Sequence, residues 1–321
     1  MKILRVAIAT VLTILMLYVA QTNSKGQPEF VTHTTNNIVF SMTSVPKALE
    51  DSTATISLTA EGPGVGASAM RFRSSEDRTA ALPMYTATDM RVTAAEGDAA
   101  TFAVDVTAGK RGVKLWYYFE LVDLSGATLA TFVQPDSNPE PEPFLFKYIG
   151  TVPLVVLILH IVFIFATVFC ISMATVHAFR VVVAKADPRP MMVFLFWGMV
   201  TCFIGMIPFG IPMNYYAFDC FWEGVPFGTD ATDNKTQLLF VYLLFATLAG
   251  FRTYTQGKIG RDLFAPRTLG LIGLASFAVM LFIYLIPHSI QFSAGFTYAF
   301  CYAWIGVVAL LYVIGLVKSR A

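Results

Sequence analysis

The chain has 321 residues and is 56% hydrophobic and 14% aromatic, with 13% charged residues against the roughly 25% of soluble globular proteins. That composition excludes a disordered chain and argues against an ordinary cytosolic enzyme, and it fits a chain that uses lipid as solvent for part of its length. The net charge of +1 covers an asymmetry, 9 basic against 15 acidic residues over 28–147 and 10 against 6 over 148–321, and the basic surplus is too small and scattered for nucleic-acid binding.

Lys2 and Arg5 precede an unbroken apolar run from Val6 to Ala20, the charged and hydrophobic regions of a secretory signal. Two outcomes are open for residues 1–24. Thr22 and Ser24 suit cleavage after Ser24, and without cleavage the run is an N-terminal anchor. Either outcome sends the next segment across the membrane.

Over 27–133 the texture changes to short alternating stretches. Residues 53–60, 68–73 and 101–106 alternate, 113–122 is rich in β-formers, and Gly62-Pro-Gly, Ala108-Gly-Lys and Asp123-Leu-Ser-Gly126 punctuate them. Seven or so strands in about 115 residues predict an antiparallel β-sandwich. The stretch Trp116-Tyr-Tyr-Phe-Glu-Leu-Val-Asp-Leu-Ser-Gly126 resembles the late-strand and hairpin segment of bacterial fibronectin-III or immunoglobulin-like modules, which implies a fold and no ligand. The domain contains no cysteine, so its own core holds it together.

Residues 134–148, opening Gln134-Pro-Asp-Ser-Asn-Pro-Glu-Pro-Glu-Pro143, read as a proline-rich connector of extended geometry. Residues 149–321 then read as an all-α transmembrane bundle of five helices, six with an uncleaved anchor. The apolar runs are 151–181, 191–213, 237–251, 269–287 and 294–317, the third short for a span. Arg180, Lys185 and Arg189, then Arg252, Lys258, Arg261 and Arg267, then Lys318 and Arg320 mark the cytoplasmic ends by the positive-inside rule. The connection with Asp219, Glu223, Asp230 and Asp233 against Lys235 falls outside. The expected location is the inner (plasma) membrane, multi-pass, with an extracytoplasmic β-domain and a cytoplasmic C-terminus. No internal repeat is visible, which weighs against an inverted-repeat transporter.

Ionisable residues at membrane depth mark candidate sites. His160 and His177 are 17 residues apart, about 25 Å along a helix, so they cannot share one metal. His160 and His288, in Ile286-Pro-His-Ser289, fall at one outer depth and could face each other as axial or metal ligands. Asp219, Glu223, Asp230 and Asp233 add oxygen ligands or outer-shell partners, whereas the plain reading of Asp230 and Asp233 is capping of the third helix. One metal ion or one b-type haem is the most that this set could hold. His177 reads as a group near a helix end, and His33 as surface. Cys170, Cys202, Cys220 and Cys301 lack CxxC spacing, and no nucleotide, hydrolase or zincin motif is present.

Gly224-Val-Pro-Phe-Gly-Thr-Asp-Ala-Thr-Asp-Asn-Lys-Thr236, together with Ile286-Pro-His-Ser289 and a histidine opening the first bundle helix, resembles a group of uncharacterised bacterial membrane proteins that carry an immunoglobulin-like outer domain. The resemblance implies the architecture and an outer-face polar site, and no activity. Three functions follow in order of expectation. The first is a non-catalytic binding or assembly subunit, with membrane lipids and an extracytoplasmic protein as partners. A metal- or haem-binding redox subunit with His160 and His288 as ligands comes second, and a transporter or channel gated by the acidic loop comes last.

Overall fold

The computed structural model describes residues 2–24, 29–77, 81–107, 109–134, 142–257, 262–286 and 292–320. The chain divides into two compact units, one of residues 26–151 with 216–219, the other of residues 1–25, 152–215 and 220–321.

The first unit holds eleven strands among the described residues, more than the seven or so expected. They are β1 (Phe30–Thr35), β2 (Ile38–Thr43), β3 (Lys47–Leu49), β4 (Ala54–Glu61), β5 (Ala69–Ser75), β6 (Thr86–Asp89), β7 (Arg91–Glu96), β8 (Ala99–Val106), β9 (Lys114–Val122), β10 (Thr128–Phe132) and β11 (Phe144–Ile149). One sheet runs β1-β2-β4-β8-β7, the other β3-β11-β9-β5-β6 with β10 also on β9. Every pairing is antiparallel except β3 with β11.

Alternation places Ile38, Phe40 and Met42 of β2 and Ala54, Ile56, Leu58 and Ala60 of β4 inward, against Met70, Phe72, Tyr117, Phe119, Phe132, Phe144 and Phe146 of the other sheet. Phe132 stacks on Phe40 at 5.3 Å and on Phe119 at 5.9 Å. Residues 144–148, read from the sequence as the end of a connector, are strand: Phe144, Phe146 and Tyr148 point inward, and the row pairs with both β9 and β3. Residues 216–219 complete this unit, with the Gly150 N–H donating to the Ala217 carbonyl at 2.9 Å. Gly112 (φ +85°) is in the left-handed region, and a Cβ there would collide with the Phe218 carbonyl.

The helices are α1 (Lys2–Ser24), α2 (Leu154–Ala184), α3 (Arg189–Ile204), a π-helical segment (Gly205–Gly210), α4 (Ile211–Phe218), α5 (Ala231–Ala249), α6 (Phe251–Gln256), α7 (Pro266–Leu285) and α8 (Ala294–Arg320); all belong to the helical unit except residues 216–218 of α4. Among the described residues, five stretches are long and apolar enough to cross a membrane: Ile3–Ala20, Leu154–Ala184, Arg189–Phe218, Pro266–Leu285 and Ala294–Ser319. They are not the five runs picked out in the sequence. The N-terminal helix joins the set and α5, the third run, leaves it. Inside the unit α5 is buried on several faces, through Leu238, Leu239, Tyr242, Leu243, Phe245 and Ala249, and it packs on α3, α7 and α8. A helix enclosed by other helices does not need a lipid-facing composition.

α1 packs on α2 and α7, burying Ala9, Thr13 and Met16. Pro208 lies within the π segment. Having no N–H, it could not make a regular helical bond there, which favours a widened turn.

Candidate functional site

At the end of the helical unit where α4 stops and α5 begins, a cavity of about 110 Å³ opens between α2, α3, α4, α5 and α7. Its polar lining includes His160, Asn214, Asp233, Lys235, Thr236 and Tyr284.

Each group is held for a local reason. Asp230 is the N-cap of α5, its side chain accepting from the N–H groups of Thr232 (2.8 Å) and Asp233 (3.1 Å). The capping expected of Asp230 is therefore present. Asp233, one turn in, is 7% exposed; its carboxylate accepts from Asn214 Nδ2 at 2.9 Å and from the Glu223 N–H at 2.7 Å. The Val225 N–H donates to Asn234 Oδ1 at 2.7 Å. The acidic connection is thus sewn to the first turn of α5 by its own backbone donors. Lys235 Nζ donates to the Ile286 carbonyl at 2.9 Å and so satisfies an acceptor at the end of α7.

Electrostatics follow from this burial. Burial pushes the Asp233 carboxyl up to about 6; the bonds from Glu223 and Asn214 oppose the rise, and the nearby charges of Asp230 and Glu223 add to it. Lys235 is pulled down to about 8, mainly by burial, with Asp230 opposing. Both residues precede the apolar run 237–251.

His160 bonds through Nδ1 to the Gly205 carbonyl at 2.9 Å. A carbonyl only accepts, so Nδ1 carries the proton, and a neutral ring then has its lone pair at Nε2. The π segment sets the rest of the geometry. Twelve residues of regular helix would put Asn214 about 120° from Cys202, but absorbing one extra residue reduces the angle to about 20°. Cys202 and Asn214 line the same cavity.

Of the residues singled out in the sequence, His160 and Asp233 meet at this cavity. Glu223 reaches Asp233 through its backbone, and Asp230 acts as the cap. Asp219 belongs to the β-rich unit, where it pairs with Arg111 at 3.1 Å. His288 lies outside the described residues. His177, expected near a helix end, is buried and stacks on Phe194 with ring centroids 5.7 Å apart. Among the described residues no three His, Cys, Asp or Glu side chains cluster as a metal site would need.

Asn214, Lys235 and Tyr284 also line the cavity, and sequence reasoning did not place them there. Asn214 was detectable as an amide directly after the apolar run 191–213, and Lys235 as the lone cation of the acidic connection. No known family model matches this chain, and no curated protein matches it.

In the β-rich unit an open groove of about 640 Å³ lies along β2 and β4. It is lined by the hydroxyls of Ser41, Thr43, Thr55, Ser57 and Thr59, with Phe30 and Lys47 also in its wall.

Proposed function

We propose that the chain is a multi-pass inner-membrane protein with an immunoglobulin- or fibronectin-III-like extracytoplasmic domain, acting as a non-catalytic binding and assembly subunit. The hydroxyl-lined groove on β2 and β4 carries this reading. It is open, larger than the bundle cavity, and presents the hydroxyls of Ser41, Thr43 and Ser57 on two neighbouring strands whose backbones are already paired, so a partner segment would be held there by side chains and not by strand addition. The polar groups of the bundle, by contrast, hold backbone: Asp233 the Glu223 N–H, Lys235 the Ile286 carbonyl, His160 the Gly205 carbonyl. The orientation follows from charge. Arg180, Lys185, Arg189, Arg252, Arg267 and Lys318 flank the helix ends opposite Asp230 and Asp233, which makes those ends cytoplasmic.

The groove residue Ser57 tests the reading. A photo-crosslinking side chain at Ser57 of the full-length protein in intact membranes should capture one protein in fixed ratio. Ser41→Arg, which fills the groove, should abolish capture without moving the melting temperature. A monomer in gentle extraction with no adduct at Ser57 sinks the proposal.

A further inference from the structure

The cavity at the start of α5 has a second set of liners besides its polar groups: Cys202 and Met206 stand there with the imidazole of His160. Cys202 is fully buried and Met206 is 7% exposed. They are four residues apart, about one turn or 6 Å along the helix, and a long helical side chain leans back over the turn before it, which carries the Met206 thioether towards the Cys202 thiol. His160 reaches the same turn from α2. Its Nδ1 is tied at 2.9 Å to the carbonyl of Gly205, the residue directly before Met206, and a Cβ at Gly210 would sit 3.8 Å from its Cε1. The ring therefore lies along the π segment that carries Met206, with the Nε2 lone pair left as a ligand.

The chemistry of these donors is soft. The oxygens of Asp233, in the same cavity, already accept from Asn214 and the Glu223 N–H. What the Cys202–Met206 turn offers is one imidazole nitrogen, one thiol and one thioether. Histidine, cysteine and carboxylate side chains alone form no group of three among the described residues, and the thioether completes one for a soft ion. Charge points the same way. Copper(I) with one thiolate is neutral, as an apolar bundle requires, whereas zinc(II) with these ligands would leave a net charge buried.

We propose that His160 Nε2, Cys202 Sγ and Met206 Sδ form a three-coordinate site for copper(I). Binding forms one copper–nitrogen and two copper–sulfur bonds, releases the thiol proton to solvent and leaves the metal in the +1 state. The cavity, about 110 Å³, has room for the ion and for waters beside it.

The test delivers copper(I) without oxygen to reduced full-length protein in detergent, in competition with a copper(I) chelator of known affinity. One copper per chain should bind, and its X-ray absorption should show one nitrogen and two sulfur neighbours; zinc(II) should not bind at that stoichiometry. His160→Gln, Cys202→Ser and Met206→Leu should each weaken copper(I) by at least about tenfold, the loss that removing even an outer partner of a ligand brings. The melting temperature of each metal-free variant reports whether it folds, and the wild-type absorption spectrum decides the ligand set whatever the variants do. Replacing Cys170, Cys220 and Cys301 together by Ala should leave binding unchanged. Less than one copper per chain, a spectrum with a single sulfur neighbour, or full binding by folded Cys202→Ser overturns the proposal. Zinc(II) held as tightly as copper(I) overturns the soft ion as its ligand.

Discussion

Among the described residues Asp233 is an acid held by neutral donors: Asn214 and the Glu223 N–H satisfy its oxygens while burial opposes its charge. Its pKa rises from 3.8 to about 6, so the folded chain holds this proton more tightly than the unfolded chain. The sign follows: ionisation costs nothing below about pH 4, costs progressively more between about 4 and 6, and its full cost of about 3 kcal/mol applies above that. The melting temperature in detergent should therefore fall as pH rises through this window, and Asp233→Asn should flatten the fall. An unchanged slope in the variant would assign it to other groups. At this scale the sequence is partly legible. Asp233 and His160 stand out because charge or an ionisable ring near the membrane is expensive. Asn214 does not, since its position on the cavity depends on a widened turn between it and Cys202. The meeting of residues 160, 214, 233 and 284 is set by packing order, which hydropathy does not encode.

At the scale of elements, the β-rich unit depends on its aromatic row. Phe132 lies against Phe40, Phe119 and Phe144 and is fully buried. Phe132→Ala should destabilise the unit by about 3–5 kcal/mol, read as faster hydrogen exchange through β2, β4 and β9 in the full chain. Exchange confined to β10 would show that the row can close over the gap. Strands β4, β5, β8 and β9 are legible as alternation or as a β-forming run. β11 is not, because Phe144-Leu-Phe-Lys-Tyr-Ile149 follows prolines that dominate the local texture, although its Phe144, Phe146 and Tyr148 alternate as an inward face must. Helix α5 misleads in the other direction. Its apolar run resembles a short span, while Asp230, Asp233 and Lys235 at its start and its burial on several faces belong to an enclosed helix.

For the whole molecule, the orientation proposed from the distribution of charge can be checked directly. In a background without native cysteines, Leu124→Cys, on a fully exposed turn, should react with an impermeant maleimide in intact cells. Lys318→Cys should react after permeabilisation and not before. The reverse pattern would invert the assignment of both ends. The π segment has a consequence for how this chain tolerates changes in length. Removing one residue from 205–210 would restore a regular helix and swing everything up to Phe218 by about 100°, carrying Asn214 off Asp233. Point substitutions over the same stretch would leave that register alone. Natural variation there is therefore expected in identity and not in number, with the count of residues between Cys202 and Asn214 held constant while the side chains between them drift.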